Sequence, residues 1–230
     1  MLFLLREPAT LLAVAVALLV GIVAHGVVQS AVARAVGDRM PAASGRLSPD
    51  PRRHFEPFGV IAMLLSGVGW NKPVPLQEPR FRGSRGRYAV AVLSGPVTNL
   101  VLSVLGLLVL KLLNERGFAS TEGFSDFGDR ATLGTVMAFE FALVNAAIGV
   151  LTLLPIPPLD GARLLWAYGP RSPGWQNARY QLEERNIGLG ICVVGMLPLF
   201  GGAGLLLRLT FAIAAAFLDP IASAFGLAVV

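Results

Sequence analysis

Apolar residues run from 11 to 35 with few polar interruptions, and the pattern predicts a first helix over residues 10–36, closing at Gly37-Asp38. A polar, Pro- and Arg-rich stretch follows over 38–56. The next apolar patch, residues 57–70, is too short at 14 residues to span a bilayer comfortably, so a re-entrant or interfacial element is expected. Residues 71–87 carry Pro73, Pro75 and Pro79 with Val74 and Leu76 between them. That spacing forbids helix and suits an extended edge strand or a loop. A second helix is predicted over 88–113 and a third over 131–154. After a break at residues 155–158, Asp160 opens a short amphipathic piece. The apolar tail, residues 187–230, is divided into two helices by Pro198 and Gly201-Gly202. No internal repeat is visible, and residues 1–230 read as one integral membrane domain with a core over 10–170.

Composition agrees with the pattern. Hydrophobic residues make up 54% of the chain and charged residues 14%, against about 25% charged in an ordinary soluble domain. A large soluble core would need polar helix faces that these stretches lack. The single Cys192 excludes a disulfide framework and a cysteine-based metal site. The first apolar run is too long for a cleavable signal and carries a histidine, so it is expected to remain in the mature chain.

The net charge of +5 does not point to nucleic acid, because the basic residues lie in short segments beside apolar runs. Residues 34–87 hold ten basic and four acidic side chains, residues 111–130 three and four. With residues 57–70 re-entrant, the basic excess places 34–87 on the cytoplasmic side of the cell membrane and the N-terminus outside.

Few ionisable or amide side chains fall within the spans, and such residues are functional candidates because burying them in lipid is costly. His25 and Gln29 stand four residues apart on one face of the first helix. The zinc-protease pattern H-E-x-x-H uses this spacing, with two histidines on the metal and the glutamate as general base. Here Gly26 replaces the glutamate and Gln29 the second histidine; alone, the pair reads equally as a histidine bonded to a polar neighbour. Asp160 follows Pro155-Ile156-Pro157-Pro158-Leu159, and an N-cap for the next helix would explain it. Asn99, in Gly95-Pro96-Val97-Thr98-Asn99, suits an inter-helix hydrogen bond beside small residues that permit close approach. His54 reads as a polar loop contact, with folding inward by the re-entrant region as the alternative. Glu140 lies 20 residues before Asp160, about 30 Å along a helix, and is out of reach.

The order of these motifs resembles the site-2 protease family of intramembrane zinc metalloproteases. Its carriers are the histidine on the first core helix, G-P-x-x-N on the second and the P-x-P-x-L-D-G run at Pro155–Gly161 after the third. The segments Gly37-Asp38, Gly45-Arg46-Leu47, His54 to Gly59, Gly69-Trp70 and Lys72-Pro73-Val74-Pro75 are similar to the compact bacterial branch. The resemblance implies an all-α, multi-pass helical bundle with a three-helix core and a short re-entrant or β-like segment. It makes His25 the first zinc ligand, Asp160 the carboxylate ligand and Asn99 the residue that positions substrate. Gly26 falls at the general base and Gln29 at the second histidine, where it is at most a weak third ligand. Thr152 replaces an asparagine that many relatives have.

The resulting expectation is a catalytically impaired homologue that binds membrane substrates or partners, with an active zinc endopeptidase of atypical ligand set as the alternative. Zinc is expected if the ancestral site is retained and no cofactor otherwise. The expected partners are the lipid bilayer and a transmembrane protein or peptide, which Val74 and Leu76 would meet by strand addition. A transporter, the third class, would draw on His25, Asn99, Asn145 and Glu140, but the chain lacks repeated halves with paired broken helices. Gly26→Glu with Gln29→His is expected to rebuild a three-ligand site, unless Gly26 is a close-packing point.

Overall fold

The computed structural model describes residues 7–117, 133–197 and 204–227. Four helices are long and apolar enough to cross a membrane: α1 (Pro8–Val36), α4 (Arg85–Glu115), α5 (Leu133–Leu153) and α9 (Leu205–Ala224). Between α1 and α4 lie α2 (Met40–Ala43) and α3 (Pro57–Ser66); after α5 come α6 (Asp160–Tyr168), α7 (Pro173–Glu183) and α8 (Ile187–Met196). The protein is thus a multi-pass helical membrane protein. At 10 residues each, α3 and α8 are too short to span. Pro198 and the Gly201-Gly202 pair, expected to divide the tail, lie outside the described residues, as do residues 131–132 of the expected third helix.

Local signals set most of the boundaries. Pro8 opens α1, where its missing N–H costs nothing. At the other end Gly37 takes φ +129° while its N–H bonds Ala33 O. Ser84 caps α4 by accepting from Arg87 N at 3.3 Å. Ser172 does the same for α7 at Trp175 N, 3.4 Å. This Ser-Pro start is a sequence signal that the hydropathy pattern concealed, and α7 had not been expected.

α1, α4 and α5 pack on one another as a three-helix core. In lipid such packing relies on small residues rather than on the hydrophobic effect. A Cβ built on Gly106 of α4 would lie 2.9 Å from Ala142 N of α5, and one on Gly149 of α5 would lie 3.1 Å from Pro96 O of α4. The backbones therefore meet where side chains are absent. α9 covers α5, and α8 lies beside α9.

No named strand forms among the described residues. Residues 71–77 are extended, with one antiparallel bridge between Phe55 and Asn71 and a hydrogen bond from Lys72 N to His54 O at 2.6 Å. Val74 and Leu76 point inward, into a cluster with Ala33, Phe81, Tyr88, Ala91, Val92 and Ala167. The prolines explain the missing strand: Pro73 and Pro75 lack the N–H that a ladder needs. Arg46 holds the arrangement from behind. It is buried, and its guanidinium donates to Arg53 O and Lys72 O, tying the loop before α3 to the extended segment. Burial, with Arg163 nearby, pulls its pKa down to about 10.

Gly106→Val tests the core packing. Overpacking of this kind costs typically about 1–3 kcal/mol, so the variant should melt several degrees lower in detergent. Gly190→Ala, whose Cβ meets nothing within 4 Å, should melt like the parent.

Candidate functional site

Inside an apolar bundle a histidine must find both its hydrogen-bond partners within the protein. His25 does so. It is fully buried in α1, its Nδ1 2.7 Å from Asn99 Oδ1 of α4 and its Nε2 2.8 Å from Asp160 Oδ2. Asn99 fixes the tautomer. Its amide nitrogen already donates to Gly21 O at 3.0 Å and to Asn145 Oδ1 at 3.1 Å, so its oxygen faces the imidazole and Nδ1 must donate. Asn145 Nδ2 donates in turn to Phe141 O at 2.9 Å within α5. One polar chain thus runs through Asp160, His25, Asn99 and Asn145 and joins all three core helices to the start of α6. Asn145 is the member that the motif reading missed. Its signal was an amide within a span, the same signal that picked out Asn99.

Glycines make the room. A Cβ on Gly95 would lie 2.3 Å from His25 Nε2, and one on Gly21 would lie 2.6 Å from Asn145 Oδ1. After α5 the chain turns so tightly that a Cβ on Gly161 would meet Leu153 O at 2.0 Å, so the glycine of the L-D-G run is required by the turn. The turn delivers Asp160 at the first position of α6. The backbone cap is Leu159, and the Asp160 carboxylate makes no cap bond; it turns instead toward His25, with Arg163 Nη1 at 3.6 Å. The N-cap alternative is therefore not what the structure shows. Burial drives the Asp160 pKa upward, but the His25 hydrogen bond, the charges of His25 and Arg163 and the Gln29 amide outweigh it and hold the carboxyl below its usual value.

Gln29 has a structural task. Pro96 has no N–H, so within α4 the carbonyl of Val92 loses its helix partner. Gln29 Nε2 donates to that carbonyl at 2.9 Å, which repairs the gap where no water would. Its Oε1 is buried without a partner. Thr152 satisfies its hydroxyl on Ile148 O and Gly149 O of its own helix, at 2.8 and 3.2 Å.

The loop histidine makes a polar loop contact but is folded inward, not held at the surface. His54 is fully buried, its Nε2 2.8 Å from Ser48 O, and its Nδ1 has no partner. The carbonyl can only accept, so Nε2 carries the hydrogen and Nδ1 is a bare acceptor. That nitrogen lies 2.3 Å from where a Cβ on Gly26 would stand. Gly26 is therefore a close-packing point, and the imidazole fills space that a side chain at position 26 would need. The sequence allowed His54 to fold inward but not its place against Gly26, because residues 26 and 54 are joined only by the folding of the loop, which Arg46 clamps. Val74 and Leu76, expected at a substrate, are consumed by the protein's own packing. Only the outer edge of their segment, with Pro75 and Gln77 exposed, is open. Glu140 is partly buried in α5 and takes no part in the polar chain.

A catalytic zinc normally takes three protein ligands and a water. His25 Nε2 and Asp160 are credible donors, and Nδ1–H on Asn99 is the outer-shell support that a metal-bound histidine commonly has. Among the described residues, no three His, Cys, Asp or Glu side chains come together as a metal-holding group. Gln29 Oε1 is a neutral amide oxygen and a weak zinc donor beside imidazole, and no carboxylate replaces Gly26. The donor set does not fit a catalytic zinc centre.

Two substitutions read out this geometry. Gly95→Ala drives a methyl into His25 and should lower the melting temperature by several degrees, whereas Gly174→Ala, in open space, should not. His54 gives a pH signature. Burial foremost, then the charges of Arg46 and His25, lower its pKa against the raising effects of the Ser48 carbonyl and Asp50. The fold thus favours the neutral ring, and this stability is present above the unfolded value of about 6.5. It is lost as pH falls through the lower folded value. The melting temperature should drop below about pH 6, and His54→Phe should flatten that drop.

No family model matches the chain, and no solved structure matches it. It is 31% identical over 170 residues to a Bacillus subtilis (strain 168) protein described as "Putative zinc metalloprotease YwhC", the alignment covering 74% of each chain. At that identity and coverage, the chain belongs to the metalloprotease family of YwhC.

Proposed function

We propose that this protein is a site-2 protease-like membrane protein that keeps the family's core but is impaired in hydrolysis, and that it binds a transmembrane protein or peptide. The observation that carries the reading is the juxtaposition of His25, Asn99 and Asp160 within hydrogen-bond distance at the centre of the bundle, while Gly26 and Gln29 hold the places of the base and the second histidine. Loss of the base alone removes a contribution of typically about 10²–10⁴-fold, and the incomplete donor set weakens the metal as well. A binding role needs neither. The exposed outer side of the extended segment, at Pro75 and Gln77, is where an unwound segment of a partner would lie against the chain. In this reading the basic residues 34–87 face the cytoplasm and the N-terminus faces out, following the positive-inside rule.

A second reading, an active zinc endopeptidase with Gln29 as third ligand, has one observation in its favour: Gln29 Oε1 is buried and unpartnered. One assay separates the two. The full chain is reconstituted with a single-span peptide containing a Gly-Pro break, with a photocrosslinker at Gln77. The binding reading expects crosslinked peptide and no cleavage above that of His25→Ala. Cleavage that is abolished by a chelator and by both His25→Ala and Asp160→Ala would establish the second reading instead.

A further inference from the structure

We propose that the polar centre is a metal-free latch, in which the hydrogen bond between His25 Nε2 and Asp160 Oδ2 makes the cross-link that a metal ion would otherwise make, and His54 occupies the place of the side chain missing at position 26. This goes beyond the binding reading and fails separately from it, since a cleft could bind a peptide whether a metal or a hydrogen bond holds it together.

The contact is of hydrogen-bonding length. His25 Nε2 and Asp160 Oδ2 are 2.8 Å apart, within the range of a charge-assisted hydrogen bond. Because Nδ1 already donates to Asn99 Oδ1, a hydrogen between Nε2 and Oδ2 is all that this contact needs, and a metal would have to displace it.

The neighbours are arranged for the same state. Gln29 is turned by its bond to Val92 O, mending the helix at Pro96, and so is committed to α4. Gly26 is filled over by the His54 ring, which is itself anchored on Ser48 O. A glutamate restored at position 26 would collide with His54. The two departures from H-E-x-x-H are thus built into the packing, one as a helix repair and the other as a socket for the loop. The latch joins residues 25, 99 and 160, far apart in sequence, across α1, α4 and the entry to α6.

The test uses the full chain purified in detergent after growth with added zinc. The parent should carry well under one equivalent of zinc by elemental analysis, and a chelator should leave its melting temperature unchanged. Asp160→Asn keeps a hydrogen-bonding partner for Nε2 and should melt close to the parent, whereas Asp160→Ala should melt roughly 5 °C lower. The triple variant Gly26→Glu, Gln29→His, His54→Ala should gain one equivalent of zinc, and the double variant that retains His54 should not. Stoichiometric zinc in the parent, or a melting temperature lowered by chelator, would overturn the latch. So would Asp160→Ala melting like the parent. Full zinc loading of a well-folded double variant would overturn the part played by His54. If the triple variant does not fold, the parent's zinc content and the two Asp160 variants still decide.

Discussion

An imidazole in the middle of an apolar bundle has no water to fall back on, and the hydrogen bonds of His25 are the constraint around which the core is arranged. Its ring reaches Asn99 on one side and Asp160 on the other. For both to arrive, α4 must come close enough that its residue 95 has no side chain, and the chain after α5 must fold back sharply enough that residue 161 has none. Asn99 then needs acceptors for its own amide, which brings in the Gly21 carbonyl and Asn145. A single unsatisfied member would leave a buried polar group costing about 1–3 kcal/mol. The network links α1, α4 and α5 through bonds that each helix contributes to.

The two positions that depart from the protease motif are coupled to different neighbours. Position 29 serves a helix broken by proline: the carbonyl of Val92 lacks its usual donor, and the Gln29 amide supplies one. Position 26 serves the loop: with no side chain there, the helix presents a hollow into which His54 settles, and Arg46 pins the loop behind it. Each departure from H-E-x-x-H thus has a packing role of its own.

The extended segment after α3 follows the same economy. Its inward residues, Val74 and Leu76, close a second apolar cluster against Ala33, Tyr88 and Val92, while its prolines keep it from pairing as a full strand. What it leaves exposed is its outer side, at Pro75 and Gln77.

The sequence alone determined the first three long helices, because uninterrupted apolar length and proline positions act locally, but it left open how many spans the apolar tail forms. It also placed His25, Asn99 and Asp160 in one site through the order of their motifs, and the structure joins them by hydrogen bonds. Hydropathy did not reveal α7, whose start is a Ser-Pro signal in a polar stretch. Three matters were decided only by tertiary structure: His54 against Gly26, Gln29 on the carbonyl opposite Pro96, and Val74 and Leu76 turned inward. Each depends on a contact between residues from 28 to 63 positions apart, or on which way a loop is pinned. No local pattern encodes such contacts, since any buried imidazole, amide or valine would look the same along the chain until its neighbour in space is known.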